Sequence, residues 1–168
     1  EFIHLYPALF ENPETHIKII RLLGKTRQGL SRAEIIDAAQ LPNGGNTSKA
    51  LDELVASGFA SEFYAFGKKK KDLKYRLTDE YSLFYLQFIE KNENAGRGHW
   101  QSLSQTQAWK SWSGYAFENL ALRHVPEIKK ALGIAGIYTE HSAFYQKGTP
   151  EQPGVQVDLL IDRGDHAI

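Results

Sequence analysis

The chain has 168 residues, with 20 basic residues, 20 acidic residues, six His and no Cys. Without Cys there is no disulfide framework or thiolate zinc site, and the His residues are not paired at metal-ligand spacing. The sequence has no apolar run near the ~20 residues that span a bilayer and no leader, so we expect a cytoplasmic protein with no membrane partner.

Two short helices are predicted at the start of the chain. In residues 13–23, Ile17, Ile20 and Leu23 recur at the spacing of one helix face. Ser31 followed by Glu34 has the pattern of a capping box, which predicts the first turn of a second helix.

A third helix and a hairpin follow. Asn46 or Thr47 is expected to cap the helix, and Gly58 to end it. From Phe59 the apolar period changes to that of a strand, with a second alternating arm at residues 73–77. Three helices and a hairpin in this order predict a winged helix-turn-helix domain in residues 1–78.

The hairpin tip is the clearest charge feature. Residues 67–77 contain six basic residues against the single acid Asp72. A wing places such residues against phosphates, whereas the alternative is a solvated tip whose charge keeps an edge soluble. The predicted nucleic-acid contacts are Ser48, Lys49, Lys68, Lys69, Lys70, Lys71 and Lys74. Asp52 and Glu53 on the third helix favour a protein partner instead.

Residues 79–110 are predicted to be a connecting helix and a linker. Asp79 begins a helix that is apolar on nearly all sides, so we expect it to be buried between domains. Residues 91–97 are polar and contain Gly, as a flexible linker does. Trp100, Trp109 and Trp112 follow, and are interpreted as core or interface residues, with stacking on bases as the alternative.

The last segment, residues 111–168, is predicted to be an incomplete α/β core. A helix over residues 114–132 is kinked or split at Pro126. Strands are predicted over residues 137–145 and 156–161, so the fold class is α+β. The chain stops as a further apolar strand begins, and we expect a fragment. The residues expected to be buried on the helix are Ala116, Phe117, Leu120, Ala121 and Val125.

Glu118 and Asp158 are the acids nominated for chemistry. Glu118 follows Phe117 on the helix, and Asp158 interrupts an apolar strand. Carboxylates on a strand and a nearby helix can hold Mg²⁺, which can activate water against a phosphodiester. The alternative is a Glu at the edge of a buried stripe and a strand Asp that accepts backbone hydrogen bonds.

Four segments resemble one family. They are YRLTDEYSLFY at residues 75–85, WSGYAFE at 112–118, His124 with Ile128-Lys129, and QVDLLIDR at 156–163. In this order they look like the C-terminal half of the archaeal-type AAA+ ATPases, which also occur in bacteria. The resemblance covers nearly the whole chain from His16 onward.

The resemblance implies a P-loop ATPase before the winged helix and a domain after it that resembles the PD-(D/E)XK nucleases. Glu118 would match the acid on the first helix of a nuclease core, and Asp158 the acid of its second strand. The third element, a Glu-x-Lys, is expected after Ile168. ATP and Mg²⁺ would therefore belong to the full-length parent, and this chain would hold no cofactor.

Three hypotheses follow. The chain is a nucleic-acid-binding region of the ATPase, with DNA as the expected target and an inactive nuclease-like domain. Alternatively, it is a regulatory region that docks on the parent's own ATPase domain or another protein. A further alternative is a Mg²⁺-dependent nuclease in the parent. Association into a homo-oligomer is compatible with each.

Overall fold

The computed structural model describes residues 2–26, 28–64, 73–92, 95–96 and 98–164. These residues form two compact units, one containing residues 2–26, 28–63 and 73–92, the other containing residues 64, 95–96 and 98–164. Helices occur in both units, and each unit has one small antiparallel sheet of two strands. The predicted α+β class is therefore confirmed.

The first unit has five helical segments and two strands in its described part. In chain order they are α1 (Phe2–Leu9), α2 (Pro13–Leu23), α3 (Arg32–Ala39), α4 (Gly45–Ala56), β1 (Ala60–Phe63), β2 (Lys74–Leu77) and α5 (Glu80–Phe84), which continues as a π-helical turn (Tyr85–Ile89). Helix α1 was not predicted. None of the helices within the described ranges is long and apolar enough to cross a membrane.

The predicted capping box at the start of α3 is confirmed. The Glu34 backbone N–H donates to the Ser31 Oγ, and the Ser31 backbone N–H donates to the Glu34 Oε2 at 2.7 Å. These two bonds satisfy donors that a helix N-terminus otherwise leaves unpaired. The Ser31 backbone N–H and the Ser31 hydroxyl, which donates to the same Glu34 Oε2 at 2.8 Å, lower the pKa of the Glu34 carboxyl.

The prediction that Asn46 or Thr47 caps α4 is wrong. The helix begins at Gly45 with Gly44 as its N-cap, and no side chain accepts a hydrogen bond from its first turn. Thr47 is buried, and its hydroxyl donates to the Pro42 carbonyl at 2.7 Å. Thr47 therefore satisfies a backbone acceptor of the preceding turn and leaves the helix end uncapped.

The two arms of the predicted hairpin pair as antiparallel strands. Their register runs from Ala60 opposite Leu77 to Phe63 opposite Lys74. On the other edge of β2, Tyr75 exchanges two backbone hydrogen bonds with Leu30, with N···O distances of 2.9 and 2.7 Å. Leu30, which precedes α3, thus lies beside β2. Lys68, Lys69, Lys70 and Lys71 lie outside the described residues.

The core of the first unit joins α1, α2, α4, the hairpin and α5. Phe2 stacks on Tyr85 with ring centroids 4.3 Å apart, and Tyr6 packs against Phe59 at 5.2 Å. The connecting helix was expected to be buried between domains, but only part of its surface is buried. Its Ser82, Tyr85 and Phe88 are buried, whereas Tyr81 and Ile89 are exposed. One apolar face is enough to complete this core.

The second unit contains three helices and a hairpin in its described part. These are α6 (His99–Leu103), α7 (Gln107–Arg123), α8 (Val125–Ala131), β3 (Glu140–Gln146) and β4 (Val155–Asp162). The predicted break near Pro126 is confirmed, since α7 and α8 are separate helices. Helix α7 begins earlier than predicted, where the Thr106 Oγ1 accepts a hydrogen bond from the Trp109 N–H. Strands β3 and β4 are antiparallel.

The expected burial of the α7 stripe is wrong for its largest members. Phe117 is 72% exposed and Leu120 is 49% exposed, whereas Asn119 is buried. Ala116 and Ala121 are half-buried, and Val125 is buried as expected. The other described elements of the unit, two short helices and a two-stranded hairpin, leave part of the apolar face of this 17-residue helix uncovered.

Candidate functional site

The predicted contact residues Ser48 and Lys49 lie in the first turns of α4. The preceding residues Gly44, Gly45 and Asn46 are exposed, and so is Lys49. Ser48 is half-buried. The backbone N–H groups at this end are free of any side-chain cap, and a helix N-terminus carries a partial positive charge.

Arg32 occupies the corner beside this helix end. Its Nε donates to the Ser48 Oγ at 3.0 Å, Nη1 donates to the Asn43 Oδ1 at 2.9 Å, and Nη2 donates to the Gly44 carbonyl at 3.3 Å. Sequence reasoning missed this residue. The available signal was an Arg at the first position of α3, which is separated from the polar residues before α4 only by the length of α3 and the turn after it.

The acidic side of α4 is partly neutralised within the unit. The Glu53 Oε2 lies 2.9 Å from the His16 Nε2, and its Oε1 lies 3.6 Å from the Lys49 Nζ. His16 is buried on α2, its Nδ1 lies 3.0 Å from the Asn12 carbonyl, and its ring stacks on Phe10 at 3.9 Å. Glu53 therefore ties α4 to α2, which weakens the sequence-based reason for expecting a protein partner at this helix.

The hairpin strands carry charged side chains, among them Glu62, Lys74 and Arg76. Lys74 is half-buried, and its charge helps to lower the pKa of the Glu34 carboxyl. Burial raises the pKa of the Tyr75 hydroxyl, and the Glu62 carboxylate next to it raises the pKa further. The Arg76 guanidinium lies over the Phe63 ring, 5.4 Å from its centroid. Among the predicted contacts, Ser48, Lys49 and Lys74 thus belong to one unit.

Glu118 and Asp158 line the same pocket in the second unit. The pocket has a volume of about 390 Å³. Glu118 is half-buried, and Asp158 is exposed with its Oδ1 accepting a hydrogen bond from the Gln156 Nε2 at 2.8 Å. The other lining residues are Ser111, Gly114, Tyr115, Phe117, Ala121, Leu122 and Leu159. Packing of α7 beside β4 brings the two predicted acids to one cavity.

The carboxylate oxygens in this pocket are the type of ligand that a hard cation such as Mg²⁺ prefers. Two carboxylates supply oxygen ligands, and Mg²⁺ is commonly held by one or two carboxylates while it keeps several waters. Over the described part of the chain, no group of three or more His, Asp or Glu side chains could hold a metal ion. Water or substrate oxygens would have to complete the coordination sphere.

The three Trp side chains pack on one another. Trp100 meets Trp109 edge to face with centroids 4.9 Å apart, and Trp109 lies 5.0 Å from Trp112. Edge-to-face and tilted pairs are the arrangements that aromatic rings favour in protein cores. Trp100 is 47% exposed and Trp109 and Trp112 are half-buried, so the cluster is partly exposed and both interpretations stay predictions.

The two predicted groups of site residues lie in different units, one at α4 and β2, the other between α7 and β4. No protein-family model, curated protein or solved structure matches the chain. Functional inference therefore rests on the chemistry of these two groups of residues.

Proposed function

We propose that the first unit is a winged helix-turn-helix domain that binds nucleic acid, with double-stranded DNA as the target, in the C-terminal region of a AAA+ ATPase. The observation that carries this proposal is the order of its elements. The elements come in the order α2, α3, α4 and then the β1–β2 hairpin. Leu30, between α2 and α3, pairs with Tyr75 on β2. This is the order of a helix-turn-helix with a wing, in which α4 is the recognition helix.

Charge supports the same proposal. The uncapped end of α4 is exposed, and Lys49 lies beside it. Lys74 lies on β2. The densest lysine run of the sequence, Lys68 to Lys71, is separated from β2 by two residues. Lysines at a wing bind phosphates, and each neutralised phosphate releases counterions, so affinity falls as the salt concentration rises.

A titration of a duplex of about 20 base pairs at several KCl concentrations tests this proposal. We expect measurable binding with a negative slope of log K against log salt. Replacing Lys68 to Lys71 with Ser leaves up to four phosphates without a lysine partner. The magnitude of the slope is therefore expected to fall by about 0.9 for each phosphate that is no longer neutralised.

The matched control changes the same number of lysines elsewhere. Lys91, Lys110, Lys130 and Lys147 are all exposed, and their replacement by Ser gives the same net charge. This control is expected to retain the affinity and the salt slope more closely than the tip variant. Equal affinity of the tip variant and the unaltered chain would overturn the proposal, and absence of salt-dependent binding would favour the protein-docking alternative.

A second candidate function is Mg²⁺-dependent phosphodiester cleavage by the full-length parent. The observation that favours it is the pocket shared by Glu118 and Asp158. These two carboxylates would hold the metal, and the bound metal would supply an activated water to attack a phosphodiester. The proposal extends the resemblance of residues 111–168 to PD-(D/E)XK nucleases.

Calorimetric titration with Mg²⁺ and Mn²⁺ tests the metal site without any activity assay. We expect weak binding that is abolished in Glu118→Gln and in Asp158→Asn. Glu127→Gln on α8 is the control, because Glu127 is exposed and does not line the pocket. Identical titrations for all of these proteins would contradict a metal site at the pocket.

A further inference from the structure

We propose that Arg32 is a positioning residue of the proposed nucleic-acid interface, which fixes Ser48 and the turn before α4 without itself touching the nucleic acid. The inference rests on the proposed function of the first unit. Its basis is the set of three hydrogen bonds that one side chain makes to three different residues.

Only an Arg side chain can make these three hydrogen bonds at once. Guanidinium is planar and carries five N–H donors in fixed directions, whereas the ammonium of Lys is a single point charge. Arg32 uses Nε on Ser48, Nη1 on Asn43 and Nη2 on Gly44. Because Arg32 begins α3, its one side chain sets the first turn of α4 relative to the start of α3.

The hydrogen bonds from Arg32 also determine which donor groups of Ser48 and Asn43 remain available to other molecules. Arg has no acceptor, so Ser48 and Asn43 must each offer it an oxygen. The Ser48 hydroxyl proton and the Asn43 amide N–H groups are then directed away from Arg32. Phosphate oxygens are acceptors, and hydroxyl and amide donors are among the groups that bind them in protein–DNA complexes.

Arg32 is placed to act through these partners. Its side chain is half-buried, and it makes hydrogen bonds within the protein from all three of its nitrogens. Its charge also acts on the buried hydroxyl of Tyr75 on β2, where it opposes the rise in pKa that burial causes. The guanidinium therefore belongs to the framework that joins α3, α4 and the hairpin.

Duplex titrations of Arg32 variants, with the same probe of about 20 base pairs, test the proposal. Arg32→Lys keeps the charge but cannot reproduce the three-way fork, and we expect it to bind about tenfold more weakly, in line with the loss of a hydrogen bond to a charged group. Ser48→Ala is expected to weaken binding to a similar extent. Since Arg32 acts partly through Ser48 and partly through the turn before α4, the double variant Arg32→Lys/Ser48→Ala is expected to lose less affinity than the sum of the two single losses.

The salt dependence separates positioning from direct binding of phosphate. In Arg32→Gln the slope of log K against log salt should stay as in the unaltered chain, whereas removal of a phosphate-binding cation would reduce it by about 0.9. Arg21→Lys is the matched control, since Arg21 lies on α2 and pairs with Glu90. We expect this control to retain full affinity.

Each outcome decides the proposal. Four results would overturn this inference while the proposed function stands. They are full affinity of Arg32→Lys, full affinity of Ser48→Ala, additive losses of affinity in the double variant, and a reduced salt slope in Arg32→Gln. If thermal unfolding shows that the Arg32 variants do not fold, Ser48→Ala alone decides, because it leaves Arg32 in place. No binding by the unaltered chain would overturn the proposed function and this inference together.

Discussion

The Tyr6 hydroxyl lies 2.6 Å from the Ser82 Oγ, and the two residues are separated by 76 positions in the chain. Both side chains are fully buried. The bond joins α1 to α5 inside the first unit, where Phe2 and Tyr85 stack beside it. Burial raises the pKa of Tyr6 to about 12.

Tyr6→Phe is expected to lower the free energy of unfolding by about 1–3 kcal/mol, because it removes the partner of a buried hydroxyl and keeps the ring. Tyr81→Phe, on the same helix as Ser82 but exposed, should change that free energy by less than about 0.5 kcal/mol. Urea unfolding at pH 7 measures both. Equal effects of the two changes would contradict the role given to the Tyr6–Ser82 bond.

The stability that Tyr6 contributes should depend on pH in the alkaline range. Its pKa in the folded state is about 12 against an ordinary value of 10.0. The contribution is thus fully present below pH 10 and is lost as the pH rises through the folded value. Unfolding of the unaltered chain and of Tyr6→Phe at pH 9 and at pH 11 measures the change. Their difference in stability should narrow at the higher pH, and a constant difference would refute this account.

Glu34→Gln is expected to destabilise the first unit at neutral pH and to have little effect in acid. The capping bonds to Ser31 hold the pKa of Glu34 below its ordinary value of 4.5. A lowered folded pKa stabilises the fold above the ordinary value, and this contribution is lost as the pH falls through the lowered value. Urea unfolding at pH 7 and at a series of pH values below 4.5 tests the expectation, and the difference between the variant and the unaltered chain should shrink as the pH falls. Glu11→Gln, at an exposed residue outside the helices, is the control.

Glu53→Ala should destabilise the first unit more than Lys49→Ala does. Glu53 is the partner of the buried His16 Nε2, and loss of a buried hydrogen-bond partner costs about 1–3 kcal/mol. Lys49 makes an exposed pair with Glu53, and such pairs contribute up to about 1 kcal/mol. Thermal unfolding of both variants makes the comparison. A larger loss of stability for Lys49→Ala would show that the ion pair, and not the bond to His16, holds α4.

Gly29→Ala is expected to destabilise the first unit more than Gly58→Ala does. Both glycines have a left-handed backbone, with φ of 65° and 76°, which costs other residues about 1–2 kcal/mol. A Cβ at Gly29 would also lie 2.6 Å from the Phe63 Cε1 and 2.7 Å from the Tyr75 carbonyl, whereas none of the described atoms lies within 4 Å at Gly58. Equal melting temperatures for the two variants would contradict this steric explanation.

Local patterns predicted much of the first unit. The α2 stripe, the Ser31–Glu34 box and the arms of the hairpin depend on residues a few positions apart, and all three are observed. Helix α1 was missed although Phe2 and Tyr6 lie four positions apart, because Pro7 inside it is a residue that usually disfavours helix. Its stability comes from aromatic packing on distant residues, which local periodicity does not record.

The site was only partly predictable for a similar reason. Glu118 and Asp158 could be selected by residue type and position, and the structure brings both to one pocket. The expected burial of Phe117 and Leu120 was wrong, because spacing identifies an apolar face but not what covers it. Arg32 was missed because its partners lie 11 to 16 positions away, and only the packing of α3 against α4 brings them together.

The stacking of Phe2 on Tyr85 has a consequence for synthesis of the chain on the ribosome. The polypeptide emerges from its N-terminus, so the aromatic side of α1 is made long before the residues that cover it. Until Ser82, Tyr85 and Phe88 leave the exit tunnel, Phe2 and Tyr6 have no complete cavity to occupy. A nascent chain stalled just after the hairpin would therefore expose these rings to chaperones that capture aromatic segments.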